Sequence, residues 1–203
     1  MSEEHYFSQE PSSPLKPKSI QIPLAGAMVN VTTASGTFSP LQLDVGTAVL
    51  IDQMDLAPEA GNLLDLGCGW GPIALNLAKL RPKAKVWAVD VNSRSLELTA
   101  KNAKELGIPN ITASLPEEVP ADLQFRGIWS NPPIRIGKKE LHELLLKWLP
   151  RLESGGEAYL VVQKNLGSDS LQKWLTEVLA SDFEVSRLTS VKTYRILKVK
   201  KNS

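Results

Sequence analysis

The segment Leu63-Leu64-Asp65-Leu66-Gly67-Cys68-Gly69-Trp70-Gly71-Pro72 constrains the chain more than any other stretch. A short apolar run reads as a buried strand, glycine at alternate positions lets the backbone turn sharply, and proline follows where a first helical turn has no use for its missing N–H. Strand, tight turn and helix in that order open a parallel α/β unit. The same rhythm continues downstream. Strands are expected at 62–66, 86–91, 111–115, 125–130 and 157–163, and helices at 72–80, 93–106, 138–152 and 168–180. Asn92 or Ser93 serves as cap for the second of these helices, and Gly107 with Pro109 stops it. Two further strands, at 183–191 and 193–199, are separated by too few residues for a crossover and must be antiparallel neighbours. The fold class is therefore α/β, an open and mostly parallel sheet with one reversed strand at the end.

Ahead of this sheet, residues 1–18 carry Pro11, Pro14 and Pro17 among Ser, Lys and Glu, a composition expected to form an extended arm. Residues 19–33 alternate around Ile20, Ile22, Val29 and Val31 with Ala25-Gly26 between, which predicts a small hairpin. A loop at 36–40 and a helix from 47 to 56 follow. The expected division is an arm and hairpin over 1–36 and one α/β domain over 37–203.

A formal net charge of +1 gives no global field that would announce nucleic acid, so any such contact must rest on a local patch. Cys68 is the only cysteine, and His5 and His142 are the only histidines, which excludes an internal disulfide and leaves no ligand set for zinc. No metal is expected, and a reducing cytoplasm fits. The first twenty residues lack the apolar core of a signal peptide, and no apolar run nears the roughly 18 residues of a membrane span.

Ligands of open α/β sheets sit at the carboxyl ends of the strands. Gly67, Gly69 and Gly71 occupy such an end, with Asp65 on the strand able to engage a polar or cationic group. Asp90, with Val91 beside it, ends the next strand about twenty residues on, where a carboxylate can accept both ribose hydroxyls of an adenosine. Ribose does not distinguish one adenosine cofactor from another; glycine spacing does. Pro72 stands where the third glycine of a pyrophosphate fingerprint belongs, and no Gly-Lys-Ser cradle exists, so S-adenosyl-L-methionine is expected in preference to a dinucleotide or a nucleoside triphosphate. The bland alternative is a turn whose Asp90 merely caps a helix.

Ser130-Asn131-Pro132-Pro133-Ile134 ends the fourth strand, since two prolines cannot continue it. Methylating a conjugated amine requires its lone pair to be turned toward the methyl, and hydrogen bonds must do the turning. The Asn131 side-chain oxygen and the Pro132 carbonyl can each accept one N–H, held in place by the fixed φ of proline. The proton can leave after transfer, so no strong base is required. Alone, the motif would be read as a rigid turn.

These motifs together resemble a family, the class I methyltransferases of the small-domain type related to the small-subunit ribosomal RNA guanine-N2 methyltransferases. The resemblance rests on Phe38-Ser-Pro-Leu-Gln-Leu-Asp44-Val-Gly46-Thr47, on the glycine loop, on Val89-Asp90-Val91-Asn92, on Asn131-Pro-Pro-Ile-Arg135-Ile-Gly-Lys138, and on the Thr193-Tyr-Arg-Ile-Leu-Lys-Val ending. It implies a Rossmann-like, seven-stranded sheet, S-adenosyl-L-methionine as donor, an exocyclic guanine amine of ribosomal RNA or a ribosomal subunit as target, and a 38–46 segment folded over the donor. Asn131 and Pro132 would be the catalytic pair, and Asn131 would also border the donor.

Two departures qualify the resemblance. Many members carry a second, degenerate copy of the domain, for which this sequence has no room. Where an acidic residue often meets the adenine, it has Ser114-Leu115, so main chain or Ser114 is expected there. Arg135 and Lys138 are expected to hold phosphates beside the target base, with Phe38, Pro133 and Ile134 against the base itself. Phe38 is equally readable as core, and Trp70 as a cover for the donor. Protein-amide methylation uses the same Asn-Pro-Pro but favours an aromatic where Ile134 stands; a non-catalytic module binding S-adenosylmethionine or RNA is the remaining alternative.

Overall fold

The structure, a computed structural model, describes Pro14 and residues 16–203, so the expected arm lies almost wholly outside the described residues. Nine strands and five α-helices follow in the order β1(Pro17–Leu24), β2(Ala27–Ala34), α1(Val45–Ile51), β3(Ala60–Leu66), α2(Pro72–Leu80), β4(Lys83–Val89), α3(Ser93–Glu105), β5(Ile111–Ser114), β6(Phe125–Ser130), α4(Lys138–Trp148), β7(Leu152–Gln163), α5(Ser168–Leu179), β8(Phe183–Val191) and β9(Tyr194–Lys201). Short 3-10 turns extend several of the helices. The expected helix at 47–56 is α1 followed by such a turn at Met54–Leu56, and that at 138–152 is α4 followed by one at Leu149–Arg151.

The main sheet has seven strands in the order β5-β4-β3-β6-β7-β9-β8. All neighbours are parallel except the pairs made by β9, which runs antiparallel between β7 and β8. The reversed strand is thus the last one. The strand expected at 157–163 begins earlier, at Leu152, because the chain passes through an irregular stretch at Gly155-Gly156 before settling into register with β6. A Cβ on Gly156 would lie 2.9 Å from the Glu153 carbonyl oxygen, so only glycine fits at that bend.

Successive strand residues face opposite sides, and this splits the core in two. Leu63, Val86, Ala88, Trp129, Tyr159, Val161 and Ile196 face α2, α3 and the β1–β2 hairpin. Leu64, Trp87, Val89, Ile128, Leu160, Val162 and Leu197 face α4 and α5. Both faces are covered, as a parallel sheet requires. Trp129 is fully buried and stacks on Tyr159 with centroids 5.1 Å apart. Its ring lies over Gly127 two residues back on the same face, where a Cβ would approach within 2.4 Å. Trp87 and Trp148 are buried, whereas Trp174 is half-buried and stacks on His142.

The hairpin turns at Ala25 and Gly26, both with positive φ, 47° and 87°, the mirror-image turn that matches strand twist. It begins at Pro17, two residues before its expected start. It docks on the helical layer through side chains: Asn76 Oδ1 accepts the Ala25 N–H at 3.1 Å, and Asn102 Oδ1 accepts that of Thr32 at 2.8 Å. Ile22, Leu24, Val31 and Ala34 enter the same core as α2 and α3.

Candidate active site

β3 is flanked by β4 on one side and β6 on the other, so the chain leaves it in opposite directions and a crevice opens at its carboxyl end. A cavity of about 530 Å³ fills that crevice. Its wall follows the strand ends across the sheet: Asp90 and Val91 after β4, Gly67 and Gly69 after β3, Asn131 to Arg135 after β6, Gln163 and Leu166 after β7, and Tyr194 at the start of β9.

At the glycine loop the backbone is left-handed at Gly67, Gly69 and Gly71, with φ of 78°, 56° and 96°. Their surroundings differ. Nothing lies within 4 Å of a Cβ built on Gly67, so the main chain there is bare to the cavity. A Cβ on Gly71 would meet Thr99 Oγ1 at 2.8 Å; this glycine faces α3, lets the two helices close up, and does not line the cavity.

Asp65 lies fully buried beneath the loop. Its Oδ2 accepts the Ala74 N–H in the first turn of α2 at 2.9 Å, and its Oδ1 has no protein partner. Burial holds its carboxyl well above the usual carboxylate range, with the nearby Asp90 charge pushing the same way against the Ala74 hydrogen bond. Asp65 does not line the cavity; it braces the start of α2 from beneath the loop. Asp90 takes the rim: Oδ2 accepts from Gly69 N–H at 2.8 Å and Oδ1 from Asn92 N–H at 2.9 Å, with a lone pair on each oxygen left for hydroxyls. Its pKa is also raised by burial, opposed by these N–H donors.

The 38–47 segment lies against the loop. Trp70 is buried, and its indole N–H reaches the carbonyls of Phe38 and Ser39 at 3.1 and 3.3 Å, so it anchors this strap. Asn92 and Arg94 hold the carbonyls of Gly36 and Ser35 at 2.9 and 2.8 Å. Phe38 is 40% exposed at the cavity, which decides against the core reading of this residue.

Asn131 lines the cavity, half-buried. Its amide nitrogen donates to Asp44 Oδ2 at 2.9 Å and to Thr47 Oγ1 at 3.0 Å. The Pro132 carbonyl accepts the Ile134 N–H at 2.8 Å in a tight turn, keeping one lone pair free. Pro132, Pro133, Ile134 and Arg135 line the cavity, whereas Lys138 is exposed at the start of α4, outside the wall. Ser114 does not reach the wall: its hydroxyl lies 3.2 Å from the Leu115 carbonyl and 3.4 Å from Glu118 Oε2, and the Leu115 N–H is held by the same carboxylate at 2.9 Å. Pro116 and the α4 residues Leu144, Lys147 and Trp148 close that end. Asp44, Thr47, Gln163, Leu166 and Tyr194 are wall residues to which sequence reasoning gives no role. For Gln163, the signal is a polar residue ending an apolar strand. Among the described residues no group of three His, Cys, Asp or Glu could hold a metal, and no helix is long and apolar enough to cross a membrane.

A glycine cradle open to solvent, the Asp90 carboxylate at its rim and an Asn-Pro-Pro turn at the neighbouring strand define the crevice of a methyltransferase. The family model described as "Methyltransferase small domain" matches residues 28–198, and the chain belongs to that family. Its donor, S-adenosyl-L-methionine, fits the crevice, where Gly67 gives a close approach to main chain and Asp90 offers free acceptor capacity. The chain is 36% identical over 201 residues, 98% of both proteins, to "Uncharacterized protein YbxB" of Bacillus subtilis (strain 168). It is 34% identical over 154 residues to "Ribosomal RNA small subunit methyltransferase C" of Pseudomonas fluorescens, covering 72% of this chain and 45% of that protein. The chain thus spans under half the length of that relative. Among solved structures, "T. Thermophilus 16S rRNA N2 G1207 methyltransferase (RsmC) in complex with AdoMet and Guanosine" superimposes with a TM-score of 0.74 at 24% identity, covering 95% of this chain and 52% of that one, a likeness of fold.

Proposed function

We propose that this enzyme methylates the exocyclic amine, N2, of a guanine in ribosomal RNA of the small subunit, in the cytoplasm. The observation that carries the reading is Asn131: both of its amide hydrogens are engaged on protein groups, so its side-chain oxygen is left for the cavity beside the Pro132 carbonyl. Two acceptors at one spot suit a neutral amine with two N–H bonds. The relatives named as ribosomal RNA small subunit methyltransferase C, and the guanosine complex of the T. Thermophilus enzyme, support guanine over other amines.

When bound, S-adenosyl-L-methionine supplies an electrophilic methyl group on a sulfonium. Asp90 would accept from the ribose, Asp65 would support the loop from beneath through the Ala74 N–H, and Gly67 and Gly69 would admit close contact with main chain. Asn131 and Pro132 each accept one N–H and thereby turn the nitrogen lone pair toward the methyl. After transfer the nitrogen is cationic, and its excess proton passes to water. Phe38, Pro133 and Ile134 offer apolar surface to the base, and Arg135 and Lys138 take the flanking phosphates. The expected boundary at residue 36 divides a shared core, so we read the hairpin, Pro17–Ala34, as part of the catalytic domain.

The test is transfer of labelled methyl from S-adenosyl-L-methionine to ribosomal RNA and to subunits from cells lacking this protein, followed by nucleoside analysis. Guanosine methylated at N2 is the expected product. No label in RNA despite donor binding would move the target to a protein amide, or reduce the protein to a binding module.

A further inference from the structure

The amine-orienting role of Asn131 depends on which way its amide points, and the structure contains a device that decides it. An asparagine amide can sit in two orientations related by a half-turn, with oxygen and nitrogen exchanged. Only one of them fits here. Asp44 Oδ2 lies 2.9 Å from the side-chain nitrogen of Asn131, and a carboxylate can only accept. The Thr47 hydroxyl oxygen lies 3.0 Å from the same nitrogen, so both amide hydrogens have acceptors. In the other orientation the Asn131 oxygen would face a carboxylate at hydrogen-bond distance with no proton between them.

Asp44 is itself fixed. The same Oδ2 accepts the Thr47 N–H at 2.9 Å and caps α1, and the Asp44 carbonyl accepts the Ala48 N–H at 2.9 Å. Gly46 next to it admits the Tyr194 ring, since a Cβ there would lie 2.8 Å from Tyr194 Cε1. The clamp therefore joins the strap over the glycine loop to the Asn-Pro-Pro turn, across 87 residues of sequence.

We propose that Asp44 is a positioning residue which, with Thr47, locks the Asn131 amide with its oxygen toward the target amine. It thereby makes asparagine, and not aspartate, the residue this site requires ahead of the two prolines. The inference deepens the reading of the site as an amine methyltransferase and rests on it.

A double-variant cycle on the full chain tests the lock. Asp44→Ala removes the acceptor that faces Asn131, whereas Asp44→Asn would keep it, because the Thr47 N–H at the same position holds the amide oxygen there. In Asp44→Ala we expect kcat to fall about 10- to 100-fold, the loss typical when a group that orients a functional side chain is removed, while donor Kd and RNA KM move less than about threefold. Asn131→Asp sets two carboxylates face to face and is expected to abolish turnover at neutral pH. Combining it with Asp44→Ala removes the opposing carboxylate, and the double variant should recover at least about tenfold over the Asn131→Asp single. A structural role alone would make the double worse than either single. Unchanged kcat in Asp44→Ala, or a double variant no better than Asn131→Asp, overturns the proposal.

A second readout needs no substrate. In ¹⁵N spectra of the donor-free protein, the Asn131 side-chain amide hydrogens should be protected from exchange in the wild type and lose protection in Asp44→Ala. Absence of protection in the wild type overturns the lock. Absence of any methyl transfer to RNA by the wild type, with protection intact, would count against the guanine assignment and leave the lock standing.

Discussion

The Asp90 carboxylate and the Gly69 amide meet at 2.8 Å across the gap between β4 and β3. The group expected to read ribose is therefore also a brace for the glycine loop, and it holds the Asn92 N–H at 2.9 Å with its other oxygen. Hydrogen bonds to a charged group contribute about 1.5–3 kcal/mol each. Asp90→Asn should keep one of the acceptors and still fold, with a melting temperature lowered by several degrees, and should lose at least about tenfold in donor affinity by calorimetry, since each ~1.4 kcal/mol is a factor of ten. Full affinity in Asp90→Asn would mean that this carboxylate does not read the donor.

Gly71 and Thr99 make a different prediction, about folding and not about the ligand. Alanine at 71 would be strained by the φ of 96° and would press its Cβ to 2.8 Å from Thr99 Oγ1. Denaturant melts of Gly71→Ala should show a loss of about 2–4 kcal/mol, strain and overpacking together. Adding Thr99→Ala should return part of it, the φ strain remaining. If the second change recovers nothing, contact with Thr99 is not what requires glycine.

Asp65 predicts a pH dependence. Burial raises its pKa in the folded protein, so folding favours the protonated form. The favourable contribution is complete below the unfolded value of about 3.9 and is lost as pH rises through the higher folded value. Asp65→Asn removes this titration. Thermal melts of the donor-free proteins between about pH 4 and pH 8 should show the gap between variant and wild type moving in the variant's favour as pH rises. Parallel melting curves across the range would contradict the raised pKa.

How far the sequence speaks for the structure depends on whether the informative signal is local. The glycine loop, the Ala25-Gly26 turn and the antiparallel final pair each depend on residues within a few positions of one another, and each forms as expected. The strand-end residues Asp90 and Asn131 are legible because parallel sheets gather ligands at one edge. Residues whose role depends on a distant partner are not. Gly71 reads in sequence like its neighbours in the loop, but its surroundings are set by Thr99 on α3. Ser114 is expected at the adenine only by analogy, and its hydroxyl instead sits against Leu115 and Glu118. Asp44 belongs to a motif of the resemblance with no function attached, since nothing local reveals that its carboxylate meets Asn131.

Trp70 couples the loop to the strap. Trp70→Phe keeps a buried ring and removes the indole N–H that reaches the carbonyls of Phe38 and Ser39. Hydrogen exchange over 36–42 should quicken about tenfold or more, the change expected for loss of about 1.4 kcal/mol of local closing free energy. Donor KM should rise with it. Exchange at the wild-type rate would show that Asn92, Arg94 and the Thr33 hydroxyl on the Pro40 carbonyl hold the strap without it.

Arg135 and Lys138 lie at and just beyond the cavity rim, both exposed. Replacing both with alanine should weaken RNA binding and reduce the slope of log K against log salt by roughly one to two, while donor affinity stays at wild type. An unaltered salt slope would place the phosphate contacts elsewhere.

β9 runs antiparallel between β7 and β8, and β8 touches the sheet only through it. Order of synthesis and order of assembly therefore part company. β8 is made before the strand that gives it a neighbour, and its exposed edge must wait, unpaired, until residues 194–201 arrive. Tyr194, which opens that strand, closes the cavity wall in the same event. The pocket can be whole only when the sheet is whole, so a chain released before this segment is made would lose two strands and one side of its pocket together.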